Sequence, residues 1–217
     1  MRHIRPETEF MEFITPVAFN GRHAALEPLS LTHQDALSEA VSDGELWKLW
    51  YTAIPAPEKM LAEIERRLSL QSKGSMLPFA VKSVAQNRFV GMTTYMNIDA
   101  AQKRVEIGST WYAKSAQRTM LNTECKLLLL SHAFEKLDCI AVEFRTSYFN
   151  YASRNAILRL GAKQDGILRS HQRHADGSLR DTCVYSIIAT EWPAVKQHLA
   201  YQLARPRAAG LNPGPEA

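Results

Sequence analysis

Apolar and polar positions along this chain of 217 residues switch between a two-residue and a 3.6-residue period, and the switches mark its elements. Val17-Ala-Phe19 leads into Asn20-Gly21, a strong turn pair, and Arg22 to Leu26 resumes an extended run up to Pro28, predicting a first strand or a hairpin. Thr32 is placed to cap a helix from about His33, with Ala36, Leu37, Ala40 and Val41 at helical spacing and Ser42-Asp43-Gly44 as its stop. After Pro55-Ala-Pro57, Glu58 to Ser72 reads as an amphipathic helix. Met60, Leu61, Ile64 and Leu68 lie on one face, opposite Glu63, Arg66 and Arg67.

Three strands in meander follow: Pro78 to Val84, Phe89 to Met96, and Arg104 to Tyr112. Then come a helix from about Asn122 to Leu137, a strand Cys139 to Arg145, a helix Ala152 to Leu160 and two strands, Ala162 to Ser170 and Asp181 to Ala189. A last helix, Glu191 to Leu203, carries Pro193 in its first turn, where proline is tolerated. An antiparallel run followed by strand-helix-strand predicts an α+β chain in three layers rather than a doubly wound sheet. Residues 1–15 read as an arm, 16–203 as one domain and 204–217, rich in Pro, Gly and Ala, as a disordered tail.

Composition narrows the function. With 46% hydrophobic and 22% charged residues the chain can bury a sizeable core. Three scattered cysteines, Cys125, Cys139 and Cys183, suit neither a disulfide framework nor zinc, and they fit a reducing cytoplasm. The N-terminus has no apolar signal core, and the longest apolar run, Leu127 to Leu130, is far below the roughly 18 residues a membrane span needs. The net charge of +4 is interleaved with acids, unlike the basic stripe of a nucleic-acid binder, so the expectation is no nucleic acid, no membrane and no metal. The dense patch Leu46, Trp47, Leu49, Trp50 and Tyr51 is either core packing between short helices or a wall of a substrate pocket.

The chemistry concentrates where the strand Glu106-Ile-Gly-Ser-Thr-Trp-Tyr112 feeds the loop Ala113 to Arg118 and then a helix whose first turn holds Asn122, Thr123 and Glu124. Backbone donors at a helix start, aided by the helix dipole, make an anion site suited to a pyrophosphate. Here the sequence resembles the GNAT superfamily of acyl-CoA N-acyltransferases, most closely the branch with the ribosomal-protein N-terminal (RimJ/RimL-type) acetyltransferases. The resemblance rests on Glu106-Ile-Gly108, Gln117-Arg-Thr-Met-Leu-Asn-Thr-Glu-Cys125, Asn150-x-x-Ser153 with Arg159-Leu-Gly-Ala162, Asp165-Gly-Ile-Leu-Arg169, Arg180-Asp181, Tyr185-Ser-Ile-Ile188 and Glu191-Trp192.

That resemblance implies a GNAT-like three-layer α/β/α sandwich around a mixed, mostly antiparallel central sheet, acetyl-CoA as co-substrate, and direct attack by a primary amine on the thioester. It places the cofactor along Ser109, Thr110, Trp111 and Tyr112, then Gln117, Arg118, Thr119, Met120, Leu121, Asn122 and Thr123, with Asn150 and Ser153 on the pantetheine arm. Glu106 would be the base, with Glu143 in reserve, and Ser153 the proton donor to the thiolate, since the position of the family's frequent tyrosine is Ile157. Asn150 and Ser153 are equally suited to capping a helix, and Tyr112 or Tyr151 could serve as acid.

Two positions depart from the family's loop of small residues, Met120 and Asn122. A positive φ at Met120 would cost on the order of 1 kcal/mol or more, and a helical backbone there little. The acceptor pocket is expected from Trp47, Trp50, Tyr95 and the loop His171 to Asp176. A catalytically degenerate acyl-CoA-binding module is the alternative function. The family also admits a homodimer, on which the residues are silent.

Overall fold

The structure, a computed structural model, describes residues 13–174 and 176–205. Most of the expected arm and tail therefore lies outside the described residues. Strand β1 (Phe19–Asn20) and β2 (Ala24–Pro28) form the hairpin expected at Asn20-Gly21, whose turn is closed by Gly21 N–H donating to Ala24 O at 2.8 Å. Helix α1 (Gln34–Ser42) is entered through a 3-10 turn at Leu31–His33. Its start is set at Ser30, not at Thr32. Ser30 N–H donates to His33 Nδ1 at 3.1 Å, while the Thr32 hydroxyl pairs with Ser30 Oγ.

Helix α2 (Met60–Ser72) precedes the meander β3 (Met76–Ser83), β4 (Arg88–Asp99) and β5 (Arg104–Tyr112). After β5 come α3 (Leu121–Glu135), β6 (Ala141–Ser147), α4 (Tyr151–Arg159), β7 (Lys163–Arg173), β8 (Leu179–Ile188) and α5 (Trp192–Ala204). The eight strands form one sheet ordered β1-β2-β3-β4-β5-β6-β8-β7, antiparallel throughout except between β5 and β6. A parallel neighbour requires a crossover, and α3 supplies it. The architecture is the expected α+β sandwich.

Side chains alternate across a sheet, and β4 shows which helix covers which face. Tyr95, fully buried, donates its hydroxyl to Leu129 O of α3, whereas Thr94 Oγ1 accepts from Arg67 of α2. The two helix layers are thus pinned by neighbouring residues of one strand. The N-terminal end of α3 is fixed by Glu124, whose carboxylate accepts from Arg22, Ala24 and His23 N–H at 3.0, 2.7 and 2.5 Å. The bare Cα of Gly21 makes room for it, since a Cβ there would collide with the Glu124 carboxylate.

The helical period assigned Arg67 to the solvent face and Leu61 to the core. The structure reverses both: Arg67 is 2% exposed and Leu61 38%. Glu63, one turn earlier, accepts from Arg67 Nε at 2.7 Å and offsets the burial of the guanidinium against the sheet. On the opposite face Lys126 of α3 is equally enclosed, its ammonium donating to Thr93 Oγ1 at 3.2 Å and Thr110 Oγ1 at 3.1 Å.

Two outcomes test this packing. Glu124→Ala leaves three backbone donors without their charged acceptor and is expected to destabilise the fold by about 3 kcal/mol or more in urea denaturation; a loss below about 1 kcal/mol would show the tether to be idle. Burial lowers the Lys126 pKa from 10.5 to about 8, outweighing the opposite pull of Cys125. Between those values the unfolded chain binds more protons than the folded one, so stability is gained as pH rises, about 3 kcal/mol in all. The stability difference between wild type and Lys126→Met should therefore shift in favour of wild type from pH 7.5 to 10, and a flat difference would contradict the burial of a charged amine.

Candidate active site

Strands β5 and β6 stay paired only from Arg104 to Glu106 against Ala141 to Glu143. Beyond Glu106, β5 remains on β4 through Tyr112, while β6 remains on β8 through Ser147. The two strands splay, and their facing edges are left without each other's hydrogen bonds. Backbone groups left unpaired at such an opening are available to a ligand. Helices α3 and α4 both begin at this open end, one after β5 and the other after β6.

The loop between β5 and α3 shows how the chain manages without glycine. Gln117 Nε2 donates back to Tyr112 O at 2.9 Å, and Thr119 Oγ1 donates to Ala116 O at 2.7 Å while accepting from Leu121 N–H at 3.3 Å. The left-handed position is Arg118, φ 57°, rather than Met120, whose φ of −72° and ψ of −14° are those of a right-handed helix. Met120 therefore carries no backbone penalty, and Asn122 lies inside the helix. The start of α3, which follows β5 through this loop, has first-turn N–H groups without intrahelical acceptors and the positive end of the helix dipole. These residues fit a pyrophosphate. Leu121 and Thr123 have buried side chains, so only their backbone could meet a cofactor.

On β5 the family-like strand is bulged. Its register against β4 passes from Thr94↔Gly108 to Met92↔Trp111, leaving Ser109 and Thr110 in the gap, with Ser109 at φ 47°. Trp111 and Tyr112 return to β4 with buried side chains, so only their backbone could meet a cofactor. The Tyr112 phenol is enclosed with Cys125, and burial pushes its pKa well above 10, which makes it a poor proton donor.

Glu106 sits at the apex of the splay, 5% exposed. Burial raises its pKa, against the hydrogen bond from Asn97 Nδ2 at 2.7 Å and the Arg145 guanidinium at 3.5 Å. It lines a cavity of about 170 Å3 with Asn97, Asp99, Arg104, Glu143 and Arg145. Gly108 is part of the same device: a Cβ there would lie 2.9 Å from Glu106 Oε1 and 2.7 Å from Met96 Sδ. Glu143, the reserve base, is the poorer one. Burial pushes it up, but hydrogen bonds from Arg104 and Arg145 prevail and hold it below the usual carboxylate range.

At the start of α4, Asn150 Oδ1 accepts from Ser153 N–H at 3.0 Å, so the capping role is realised; the half-buried Ser153 hydroxyl takes no part in the cap. Ile157 packs in the core, 8% exposed. Of the acceptor-pocket residues, Tyr95 must be withdrawn, because it is sealed between β4 and α3. Trp47 is half-buried against the core. Trp50 is 55% exposed and gathers Tyr51, Phe149 and His174 at ring distances of 5.7, 5.5 and 5.5 Å. Tyr151 is exposed and its ring lies under the Arg154 guanidinium.

Sequence reasoning passed over Asn97, Arg145 and Phe149. The aromatic pair Tyr148-Phe149 directly before a cap residue was the available signal for the last; the first two needed the strand order. Among the described residues no three His, Cys, Asp or Glu side chains cluster to hold a metal, and no helix is long and apolar enough to cross a membrane. A separate cavity of about 480 Å3 lies between α2 and the start of β3, lined by residues such as Phe13, Leu68 and Gln71 and by none of the site residues above.

Comparison with known proteins finds acetyltransferases. YdaF of Bacillus subtilis (strain 168), named as a candidate ribosomal N-acetyltransferase, is 29% identical over 106 residues, 49% of this chain and 57% of that protein, so the match spans little more than half of its length. A crystal structure of a candidate acetyltransferase from T. thermophilus is 33% identical with a TM-score of 0.77, covering 88% of this chain and 98% of that one. A GCN5-related N-acetyltransferase from Brucella melitensis is 32% identical with a TM-score of 0.77, covering 88% and 87%. Residues 24–163 match the acetyltransferase (GNAT) domain, and the chain belongs to that family.

Proposed function

We propose that this chain transfers an acetyl or similar acyl group from acyl-CoA to a primary amine by direct attack, with residues 16–203 as the working unit. The observation that carries the reading is the splay of β5 from β6, with a bulged strand on one edge, a helix start at its open end and a desolvated carboxylate at its apex. Acetyl-CoA supplies the activated thioester. The residues of the chain divide the remaining work. The backbone from Arg118 to Thr123 receives the pyrophosphate at the start of α3. Backbone N–H groups of the bulge, from Ser109 to Trp111, polarise the carbonyl.

Glu106 takes the proton of the incoming ammonium, directly or across a water, because desolvation makes it a stronger base than an ordinary glutamate. Ser153 hydroxyl returns a proton to the departing sulfur. Asn150 uses its Oδ1 in the cap, leaving its amide NH2 for the pantetheine arm. The acceptor approaches past Trp50, Phe149 and His174, where an aromatic rim suits a peptide N-terminus as well as a small amine. The ribosomal name of YdaF supports the peptide.

Calorimetry with acetyl-CoA, together with thiol release over a panel of peptide N-termini and small amines, tests the reading. Binding with release upholds it. Binding without release for any amine leaves only an acyl-CoA-binding module, and absence of binding sinks both. Glu106→Gln should lower kcat/KM for the amine about 100-fold. In wild type, kcat/KM should fall as pH drops through the raised pKa of Glu106, since its carboxylate is protonated there; the variant should lack that limb, and an unchanged profile would dismiss Glu106 as base. Ser153→Ala should reduce kcat about tenfold with KM for acetyl-CoA little changed.

A further inference from the structure

The bulge that would polarise the carbonyl is gripped from both faces of the sheet by buried cations. From α2, Arg67 Nη1 donates to Thr94 Oγ1 at 2.7 Å and Nη2 to Ser109 O at 3.2 Å, while Nε is anchored on Glu63. From α3, Lys126 Nζ donates to Thr110 Oγ1 and to Thr93 Oγ1, and those two hydroxyls meet at 2.8 Å. The carbonyl of Ser109 and the side chain of Thr110 are therefore both held, one from each side. They flank a single peptide bond.

A trans peptide carries its C=O and N–H on opposite sides. Holding Ser109 O on Arg67 fixes the plane of the Ser109–Thr110 peptide, and with it the direction of the Thr110 N–H. The bulge register takes this residue out of the β4 pairing. Ser109 is held at φ 47°, a left-handed conformation disfavoured for serine unless its surroundings impose it. Enclosing a guanidinium 2% exposed is itself unfavourable without full pairing. The guanidinium meets that condition, with Nε, Nη1 and Nη2 all paired, and one of those bonds falls on the strained peptide.

We propose that Arg67 is a positioning residue for catalysis: by holding Ser109 O it aims the Thr110 N–H at the place of the thioester oxygen, with Lys126 bracing Thr110 from the opposite face. Arg67 touches neither substrate nor cofactor. The assignment rests on the acyl-transfer reading above and adds to it the residue that sets the donor's direction.

The test compares wild type, Arg67→Met and Arg67→Lys by steady-state kinetics and by infrared difference spectra of bound acetyl-CoA labelled with 13C at the thioester carbonyl. Near-ultraviolet circular dichroism verifies the fold of each protein. Wild type should lower the carbonyl stretching frequency on binding. Arg67→Met should abolish most of that shift and reduce kcat about 30-fold, with KM for acetyl-CoA changing less than about threefold. Arg67→Lys keeps a charge beside Glu63 but cannot reach Thr94 and Ser109 together, so an intermediate shift and a drop of about tenfold are expected.

If Arg67→Met does not fold, Arg67→Lys decides by the same two readings. A folded variant with lowered thermal stability but unchanged kcat and carbonyl frequency would overturn the positioning role and leave the enzyme reading intact. Wild type that binds acetyl-CoA without any frequency shift would overturn the bulge as polariser. Wild type without turnover would instead refute the acyl-transfer reading itself.

Discussion

The structure turns on the parting of two strands that begin as hydrogen-bonded neighbours. Up to Glu106 the sheet satisfies its own backbone; after it, the edge of β5 has no partner on the β6 side. Unpaired donors in a protein interior are unfavourable, so an opening of this kind persists only where a ligand or solvent takes their place. Everything around the opening works to keep it from closing. The parallel crossover through α3 brings a helix start to its mouth, and the Glu124 tether fixes that helix start to the first hairpin. The pairing of β6 with β8 draws the second strand away.

Inside the opening, charge is arranged by burial rather than by number. The net charge of +4 said little, because what matters is where three groups are enclosed. Glu106, Arg67 and Lys126 lie around a single stretch of β5, each with enough polar partners to be tolerated and each shifted toward its neutral form by loss of water. The anion and the cations have separate partners: Glu106 faces Asn97 and Arg145, while Arg67 and Lys126 hold threonines and a backbone carbonyl. That separation leaves Arg145 as the one close cation on the glutamate among the contacts described, and burial outweighs its pull.

Much of this was legible in the residue pattern, and the exceptions have physical reasons. The bounds of β5 were read correctly, because its alternation is bracketed by polar residues on one side and Ala113 on the other. The family motif placed the loop and the helix start. The period could not show that Arg67 turns inward, since periodicity counts arginine as polar and cannot see a glutamate one turn away that stabilises it. Tyr95 was misassigned for the converse reason: a tyrosine in a strand suggests a pocket as readily as a core, and only Leu129 O of the crossing helix decides between them. At Met120 the residue type raised a doubt that backbone angles removed, because the left-handed turn had moved two residues earlier to Arg118. Thr32 lost the cap to Ser30 because the His33 ring fills the place that glutamate or glutamine usually takes in a capping box.

The aromatic rim has a consequence for how such a protein can diversify. Trp50, Phe149 and His174 come from three separate loops, touch one another only by ring edges and tilted faces, and none belongs to the buried core. Replacing any of them leaves the sheet, the bulge and the helix start as they are. The floor, by contrast, is bound into the core through Gly108, Arg67 and Lys126, where even an added methyl group meets an obstacle. Inheritance can thus rewrite the rim by single substitutions while the floor tolerates almost none, and descendants of one ancestor can come to differ in the partner they admit long before they differ in the cleft beneath it.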